Sequence, residues 1–480
     1  MKEYRNLTML SDYYEFTMAN AYFENGMKDT MAVFDAFYRK NPDGGGYSIF
    51  AGLNDIISYI KNLHFSDEDI EYFREQGNFT EGFLEYLRNF EFTGDISAFP
   101  EGSVIFPGEP IITVKAPIIE CSIIETYLLL SMNFNSLIAT KTNRIVSSAG
   151  ERTVMEFGSR RAQGADASIT GARAAYIAGA PITSNTYSAK KYGFKAAGTM
   201  AHSWVQAFDS EYEAFKTYAK MYPDNCILLI DTYDTLESGL VNAMRVFEEE
   251  LIPKGLTGGV RIDSGDLAYL SKEVRKKLDE NGYEDFTIVA SNSLDEFKIE
   301  SLLSQGAKID SFGIGERLIT AKSDPVFGGV YKLVAIEKEG ELVSRIKVSE
   351  NVEKITTPGY KKVYRLYDKE TGKAEADYIA LNDEVIDDSE PLVIFDPLFT
   401  WKMKKMKNYT AREMQVKIFK KGKLVYEEPS LDEIAAYRKK EVDSLWDEVK
   451  RYDTPHDYYV DLSQELWNLK QKLILDAKAK

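Results

Sequence analysis

The sequence predicts an α/β protein whose central part is a parallel barrel. From about residue 150 onward, short apolar runs recur roughly every 20–30 residues, and helical patterns such as DTLESGLVNAMRVFEEEL fill most of the gaps. Strands that alternate with helices form parallel βαβ units. Seven or eight such units suit a barrel better than a doubly wound open sheet, which is the alternative. The runs are TVMEF (153–157), AAGTM (196–200), CILLID (226–231), GGVRID (258–263), FTIVAS (286–291), KIDSFGIG (308–315) and VYKLVAI (330–336).

The composition is that of a globular protein with a sizeable core. Of the 480 residues, 44% are hydrophobic and 28% are charged, and the length allows roughly two to four domains. Only two cysteines occur, Cys121 and Cys226, which excludes a disulfide scaffold and a Cys-rich zinc site and fits a reducing cytosol. The net charge of −17 excludes a general basic surface for nucleic acid. Phosphates would have to be bound by local clusters of donors.

Neither a targeting signal nor a membrane span is predicted. The start, MKEYRNLTMLSDYYEF, has no apolar core and already carries acidic residues. The most apolar stretch, PIIECSIIETYLLLSM, contains Glu120 and Glu125 and is shorter than the ~20 residues that cross a bilayer. We therefore expect a buried helix there and a cytoplasmic protein.

Several elements outside the barrel have clear signals. LSDYYEFTMANAYFENG predicts a helix that ends at Gly26. FSDEDIEYFREQG predicts one that begins with a capping box of Ser66 and Asp69. DTMAVFDAFYR predicts a strand, and PEGSVIFPGEPIITVKAP a small β structure. SLDEIAAYRKKEVDSLWDEVKR predicts a late helix with a capping box of Ser430 and Glu433. Its expected apolar stripe is Ile434, Val442, Leu445, Trp446 and Val449.

Polar residues end several of the predicted parallel strands. In a parallel barrel these carboxyl ends line the active site. The alternative is that such residues only cap the helices that follow, which accounts for any one of them taken alone. The residues are Asp231 and Asp234, Asp263 to Asp266, Ser291 and Asn292, and Gly313 to Arg317.

His202 is a candidate for chemistry, because it follows a strand within AAGTMAHSWVQAF, among small residues. A histidine in such a place can act as a base, a metal ligand or a phosphoryl acceptor. A structural histidine is the alternative. The other two histidines, His64 and His456, lie in predicted polar turns.

GGVRIDSGDL places Arg261 and Asp263 on the same face of one strand, because they are two residues apart. Arg261 can hold a carboxylate or phosphate through its two-pronged guanidinium. Asp263 and Asp266 can bind ribose hydroxyls or Mg²⁺. A plain internal ion pair is the alternative.

FGSRRAQG supplies an aromatic ring and positive charge at another strand end. Phe157 could stack on a planar ring, and Arg160 and Arg161 could face an anion. Two adjacent arginines also occur as ordinary surface pairs, so this motif alone is weak.

Two glycine pairs could bring backbone N–H groups close to a phosphate. They are Gly313 with Gly315 in FGIG, and Gly328 with Gly329 in FGGVYK. FGIG is not a dinucleotide fingerprint, because Leu318 stands where the third glycine would be, and no GxxxxGK[ST] loop occurs.

Taken in order, these motifs resemble the nicotinate phosphoribosyltransferase family. The segments that carry the resemblance are SDYYEFTMA, FDAFYRKNP, FGSRRAQG, GTMAHSWV, GGVRIDSGDL and FGIG followed by FGGVYK, and RYDTPHDYYVDLS is similar to the family's ending. The resemblance implies an N-terminal α/β sandwich (1–135), an irregular TIM-like α/β barrel (136–340) and a C-terminal extension (341–480). It also implies a homodimer with its active site at the interface.

The implied reaction converts nicotinate, 5-phosphoribosyl 1-diphosphate, ATP and water into nicotinate mononucleotide, diphosphate, ADP and phosphate. This is the first step of NAD salvage from nicotinate. Loss of diphosphate leaves an oxocarbenium-like ribose, which nearby carboxylates stabilise. The implied cofactor is Mg²⁺, which neutralises the leaving group, and ATP is the co-substrate.

The resemblance also implies roles for single residues. His202 would be phosphorylated transiently, Asp231 would orient its imidazole, and Asp263 would bind the ribose. Nicotinate would be held by Thr199, Arg261 and Tyr14 of the partner subunit, with Phe157 stacked on its ring and Arg160 nearby. The phosphate contacts would be Arg39, Gly313, Gly315, Gly328 and Gly329. Glu316 departs from the threonine that some relatives have there, and a carboxylate is a poor phosphate contact.

Three other functions remain as alternatives. The base could be nicotinamide, because enzymes for that base share an Arg and an Asp on one strand. A quinolinate enzyme is disfavoured by the length of the chain and by His202. A non-catalytic nucleotide sensor on the same barrel is disfavoured by the presence of His202, Arg261 and Asp263 together.

Overall fold

The computed structural model describes residues 5–351 and 354–479. The chain divides into two compact units, one of residues 1–137 with 326–480 and the other of residues 138–325. The three-part division at residues 135 and 340 stays a prediction. No helix in the described ranges is both long enough and apolar enough to cross a membrane.

The helices follow the predicted pattern along most of the chain. They are α1 (Tyr13–Glu24), α2 (Leu53–Lys61), α3 (Asp67–Gln76), α4 (Glu81–Arg88), α5 (Ile118–Ile123), α6 (Glu125–Ala149), α7 (Ala165–Ile177), α8 (Thr186–Tyr192), α9 (His202–Gln206), α10 (Glu211–Met221), α11 (Leu240–Val246), α12 (Leu267–Glu280), α13 (Glu296–Ser304), α14 (Glu316–Ile319), α15 (Leu431–Asp443) and α16 (Gln464–Lys478).

The strands are mostly short. They are β1 (Met31–Phe37), β2 (Ser48–Ile49), β3 (Asp95–Ala98), β4 (Val104–Ile105), β5 (Ile112–Pro117), β6 (Thr153–Glu156), β7 (Ile182–Thr183), β8 (Lys195–Ala196), β9 (Ile227–Leu229), β10 (Gly259–Ile262), β11 (Thr287–Asn292), β12 (Ser311–Ile314), β13 (Val330–Lys338), β14 (Glu341–Ser344), β15 (Lys361–Asp368), β16 (Ala374–Leu381), β17 (Leu392–Phe395), β18 (Met403–Met406), β19 (Tyr409–Glu413), β20 (Val416–Lys420), β21 (Lys423–Leu424) and β22 (Tyr459–Leu462).

Local signals placed the ends of several helices correctly. Helix α1 stops just before Gly26, whose φ of 70° suits glycine. Helix α3 begins with the predicted capping box, in which Ser66 and Asp69 bond each other's backbone N–H groups. Helix α15 begins with the same device but ends at Asp443. Its expected stripe therefore continues beyond the helix, where Leu445 is still buried.

The first unit contains a seven-stranded sheet in the order β14-β13-β1-β5-β3-β20-β21. Strand β1 pairs antiparallel with both β13 and β5. Ala32, Val33 and Ala36 of this strand are fully buried, as expected for a strand in the middle of a covered sheet. A second sheet in the same unit has the order β19-β15-β16-β22.

One strand was assigned to the wrong sheet. The apolar run at 330–336 was predicted as a parallel barrel strand, but β13 lies antiparallel to β1 in the first unit. Its alternating burial, with Tyr331 buried and Lys332 half-buried, is that of a strand in an antiparallel sheet. An apolar run predicts a strand without identifying its neighbours, which is why this assignment failed.

The second unit contains a seven-stranded sheet in the order β8-β7-β6-β12-β11-β10-β9, and every recorded pairing in it is parallel. Helices α7, α8, α12 and α13 lie between consecutive strands in the chain. This is the alternating α/β pattern that the sequence predicted. Because all strands run the same way, their carboxyl ends meet at one edge of the sheet.

The parallel sheet is curled rather than flat. Strands β8 and β9 are its two edges, and a flat sheet of this width would hold them about 29 Å apart. His202 follows β8 and Thr232 follows β9, yet His202 Nδ1 lies 3.1 Å from Thr232 Oγ1. The loops beyond the edge strands therefore close the curl, which agrees with the irregular α/β barrel predicted from the sequence.

A buried ion network holds part of the first unit together. Arg365 has no solvent exposure and donates to Asp377 at 2.6 and 2.8 Å and to Glu441 at 2.8 Å. It also donates to the Val104 carbonyl at 3.0 Å. Tyr458 donates to Asp377 at 2.9 Å. Buried charges are tolerated only when paired and hydrogen-bonded in this way.

We predict that Arg365→Leu destabilises the protein by about 3–5 kcal/mol, because the buried Asp377 loses its counter-charge and Glu441 keeps only its pair with Arg412. Urea unfolding followed by circular dichroism measures this. Arg74→Leu is the matched control, because its pairs with Glu71 and Glu81 are on the surface, and it should leave the midpoint unchanged. Equal midpoints for Arg365→Leu and the parent protein would contradict the prediction.

Candidate active site

The carboxyl edge of the parallel sheet brings most of the predicted site residues of the second unit together. Arg261 lies on β10, and Asp263 follows that strand. Asp231 follows β9, and Thr199 and His202 follow β8. Contacts at or below 4.0 Å join them into one cluster, which also includes Ser291 of β11.

Arg261 is held on both sides by hydrogen bonds. Its Nε donates to Ser291 Oγ at 2.7 Å, and its Nη1 donates to Thr199 Oγ1 at 3.0 Å and to the Met200 carbonyl at 3.4 Å. Its Nη2 faces Asp263 Oδ1 at 3.3 Å. The Arg261 side chain is 15% exposed. The guanidinium is thus fixed in orientation, because each of its three nitrogens faces a partner within the chain.

Asp263 is ionised by its surroundings. Burial raises the pKa of this carboxyl, but the hydrogen bond from Ser291 Oγ (2.6 Å) and the charges of Arg261 and His202 outweigh burial and lower its pKa below the ordinary value. The Asp263 side chain is 29% exposed. The result is a partly open carboxylate that stays negative at neutral pH.

Asp231 ties two strand ends together. Its Oδ2 accepts from the Asp263 backbone N–H at 3.0 Å and from Ser264 Oγ at 2.5 Å. Its Oδ1 is buried and accepts no hydrogen bond from the described part of the chain. A buried oxygen without a hydrogen bond destabilises the folded protein unless a ligand donates a hydrogen bond to it or coordinates it.

His202 faces both carboxylates. Its Nε2 lies 3.8 Å from Asp263 Oδ2 and 4.0 Å from Asp231 Oδ1. Both distances are too long for a hydrogen bond. The hydrogen bond predicted from Asp231 to the imidazole is therefore replaced by one between Nδ1 and Thr232 Oγ1, at 3.1 Å.

Phe157 follows β6 and lies against Gly313 of the neighbouring strand β12. A Cβ on Gly313 would come within 2.6 Å of the Phe157 ring, so any side chain there would displace the ring. A Cβ on Gly315 would lie 3.2 Å from the Phe157 carbonyl oxygen, which is a less severe approach. These glycines thus position an aromatic ring, and their roles as phosphate contacts stay predictions.

Arg160 lies in the short helical turn Ser159–Arg161 and is exposed. Within the described residues, Arg160 makes no hydrogen bond or ion pair with the cluster. Glu316, which departs from the family pattern, is paired with Lys322 at 2.5 Å. The hydrogen bond from Lys322, with the charges of Arg161 and Arg317, lowers the pKa of Glu316. The carboxylate that would repel a phosphate is therefore already paired.

The remaining predicted residues lie in the first unit. Tyr14 is half-exposed on α1. The register of β1 with β13 pairs Phe37 with Val330, so Arg39 and the glycines at 328 and 329 lie at the same end of this strand pair. Gly328 has a φ of 73° and open space around it.

Gly329 does not present a free N–H group to a ligand. Its N–H is already donated to Asn133 Oδ1 at 2.9 Å. A Cβ at Gly329 would come within 2.2 Å of that same oxygen, so the glycine is needed for this contact.

The helix-cap alternative holds for two of the strand-end aspartates. Asp234 accepts from the N–H groups of Leu236 and Glu237, and Asp266 accepts from those of Ala268 and Tyr269. These are N-cap bonds. Asp231 and Asp263 cap no helix, and they are the two that face His202.

The sequence did not point to Thr232 and Ser264 as site residues, and it noted Ser291 only as a strand end. A hydroxyl directly after Asp231 or Asp263 was a visible signal. Whether such a hydroxyl belongs to the site depends on which loops meet across the curled sheet. One sequence alone does not show which loops meet.

Comparison with known proteins agrees with this arrangement. Sequence models of the nicotinate phosphoribosyltransferase family match the chain as an N-terminal domain (9–133), a family core (153–365) and a C-terminal domain (360–470). A nicotinate phosphoribosyltransferase of Bacillus subtilis is 44% identical over 475 residues, which cover 99% of this chain and 96% of that protein. The chain belongs to the nicotinate phosphoribosyltransferase family.

More distant members of the family agree in length and fold. The human nicotinate phosphoribosyltransferase is 30% identical over 531 residues, covering 97% of this chain and 96% of that protein. The crystal structure of human nicotinic acid phosphoribosyltransferase superposes with a TM-score of 0.84 at 28% identity, covering 97% of this chain and all of that one. The α/β fold class is thereby confirmed.

We predict that Ser291→Ala destabilises the protein by about 1–3 kcal/mol at neutral pH, because an ionised carboxylate loses a donor. Because the pKa of Asp263 is lower in the folded than in the unfolded protein, the ionised carboxylate stabilises the folded state above pH ~4. This stabilisation is lost as the pH falls through the pKa that Asp263 has in the folded protein. The difference between parent and variant should therefore shrink in acid. Urea unfolding between neutral pH and about pH 3 measures it.

Ser304→Ala is the control for this series, because that hydroxyl bonds only the nearby Ser301 carbonyl on an exposed helix end. Its unfolding difference from the parent should be small and independent of pH. A Ser291→Ala effect that is equally large at both ends of the pH range would contradict the prediction.

Proposed function

We propose that this protein joins nicotinate to 5-phosphoribosyl 1-diphosphate, releases nicotinate mononucleotide and diphosphate, and couples the reaction to ATP hydrolysis through a phosphohistidine at His202. Family membership supports the transferase reaction. The observation that carries the coupled mechanism is the cluster itself, in which an oriented Arg261, an ionised Asp263 and an accessible His202 face one another.

Nicotinate is recognised by its carboxylate and its ring. Nη2 of Arg261 takes the carboxylate through the N–H that does not face Asp263, because Nε and Nη1 already donate within the chain. Phe157 stacks on the pyridine ring from the strand that neighbours Gly313. Nicotinamide lacks the negative charge that Arg261 would pair with, so nicotinate is the favoured base.

The ribose reacts beside Asp263. As diphosphate departs, positive charge develops on the ribose, and an ionised carboxylate close by stabilises it. The nicotinate nitrogen then forms the bond to C1 of the ribose. No protein nucleophile is required, so positioning of the two substrates accounts for most of the catalysis.

The carboxylates also fit Mg²⁺. Asp231 Oδ1 is buried without a hydrogen-bond partner in the described residues, and Asp263 has an open oxygen. Hard oxygen ligands of this kind, completed by substrate oxygens, are those that Mg²⁺ prefers. When bound, the ion neutralises charge on the leaving diphosphate.

His202 accepts the γ-phosphoryl group of ATP through Nδ1. The two carboxylates that face Nε2 favour the proton on that nitrogen, which leaves a lone pair on Nδ1. The Nδ1–P bond forms as the bond from the γ-phosphorus to its bridging oxygen breaks, and ADP leaves. Water later attacks the phosphorus and releases phosphate, so the imidazole is restored.

Phosphorylation would place roughly two negative charges beside Asp231 and Asp263. Repulsion between these charges reorganises the cluster, and hydrolysis then favours product release. Arg39 and Gly328 in the first unit remain proposed phosphate contacts. The homodimer, with Tyr14 of the partner subunit at the nicotinate site, is likewise part of this proposal.

The first experiment measures nicotinate mononucleotide formed from labelled nicotinate, 5-phosphoribosyl 1-diphosphate and Mg²⁺, with and without ATP. We expect ATP to stimulate the parent protein and to have no effect on His202→Ala. His64→Ala is the control, because that histidine is exposed and bonds only the Asn62 carbonyl through its ring. It should keep the ATP response.

Two results would contradict the proposal in different ways. If the protein converts nicotinamide and does not convert nicotinate, the substrate base of the proposed reaction is nicotinamide. An ATP response that persists in His202→Ala would rule out the phosphohistidine at His202. The proposed transferase reaction would not be affected by that result.

Thr232→Val tests the hydrogen bond to Nδ1. We predict that the ATP-stimulated rate falls by roughly three- to tenfold, because the imidazole loses the partner that fixes its ring. The rate without ATP should stay within about twofold. Tyr233→Phe is the control, since this neighbouring side chain is 64% exposed and removes a hydroxyl of similar kind. An unchanged ATP response in Thr232→Val would show that the bond has no role in catalysis.

A further inference from the structure

A cavity of about 670 Å³ lies within the first unit. Its walls come from residues 41–46, 106–107, 394–404 and 456–461. None of the residues in the proposed active-site cluster lines it. The volume is that of a site for a small organic molecule.

Asp461 is the unusual group in this cavity. It lies on β22 and lines the cavity, and the whole residue is only 3% exposed. Its carboxylate makes no hydrogen bond or ion pair with any described residue. Burial, and the nearby charge of Asp396, raise the pKa of Asp461 to about 7. A buried carboxylate without a partner is destabilising, and a ligand that supplies a positive donor would remove that cost.

Two lysines, Lys402 and Lys404, line the cavity. Lys404 forms an ion pair with Glu375. Lys402 lies over the Phe399 ring, with its Nζ 4.7 Å from the ring centroid. Asp396, a second carboxylate of the wall, already accepts from the backbone N–H groups of Leu398 and Phe399, and a third, Asp457, also lines the cavity. Asp461 therefore has no direct counter-charge among the described residues, and its carboxyl is ionised only in part at neutral pH.

The rest of the wall is largely apolar and aromatic. Phe106 and Tyr458 stack with their ring centroids 3.8 Å apart, and Tyr458 is fixed from behind by its bond to Asp377. Ile394 is buried, and Leu398 of the same wall segment is 63% exposed. An apolar body with one positive head group matches this distribution of surfaces.

We propose that this cavity is a binding site for a small organic cation, with an ammonium group paired to Asp461 and an apolar or aromatic body packed on the surrounding side chains. The site is separate from the proposed transferase chemistry. A failure of either proposal leaves the other untouched.

The test uses three probes of similar shape and different charge on the full chain, followed by isothermal titration calorimetry. They are 2-phenylethylammonium, neutral 2-phenylethanol and anionic 3-phenylpropionate. We expect the cation to bind at least about tenfold more tightly than the other two, because only it forms a charge-assisted hydrogen bond with Asp461.

Asp461→Asn keeps the shape and removes the charge. It should weaken binding of the cation by at least about tenfold and leave the neutral probe unchanged. Asp383→Asn is the matched control, because Asp383 is an exposed aspartate of the same unit that does not line the cavity. It should bind all three probes as the parent does.

Leu398→Ser provides a second variant at an exposed position, where folding is not at risk. This substitution should weaken the binding of the cation and of the neutral probe to the same extent, because it removes apolar surface from the cavity wall. The proposal is overturned if the cation shows no saturable binding, if the anion binds as tightly as the cation, or if Asp461→Asn binds the cation like the parent.

Discussion

The contact between His202 and Thr232 is the constraint on which the site depends. These residues follow the two edge strands of a seven-stranded parallel sheet, and they lie 3.1 Å apart. The sheet curls so that the loops beyond its two edge strands come into contact. The same curl lets Arg261 on β10 reach Thr199 beyond β8. The cluster is therefore a property of the whole sheet, and no single motif could form it.

Within the cluster, charge and orientation are settled by a few hydroxyl groups. Ser291 serves Arg261 and Asp263 at once, as acceptor for one and donor for the other. Thr199 holds the far side of the guanidinium, and Ser264 holds Asp231. Because each hydroxyl joins residues from different strands, the strongly charged groups keep their positions before any substrate arrives. This is the preorganisation that electrostatic catalysis requires.

Much of this arrangement could be predicted from the sequence, and the remainder could not for identifiable reasons. Asp231, Asp263 and Arg261 were found because strand ends share one edge of a parallel sheet. The strand at 330–336 was misassigned because an apolar run does not specify its partner. Thr232 was missed because its contact depends on closure of the curl. Asn292, with its unusual φ of 132° at the end of β11, has a backbone that no propensity predicts.

The approach of Phe157 to Gly313 has a consequence for the position of the aromatic ring. The Phe157 ring packs directly against the backbone of Gly313. It can lie this close to the sheet only because residue 313 has no Cβ atom. A Cβ at residue 313 would come within 2.6 Å of the Phe157 ring, so the ring would have to lift or tilt. The height and tilt of the Phe157 ring over the sheet therefore depend on residue 313.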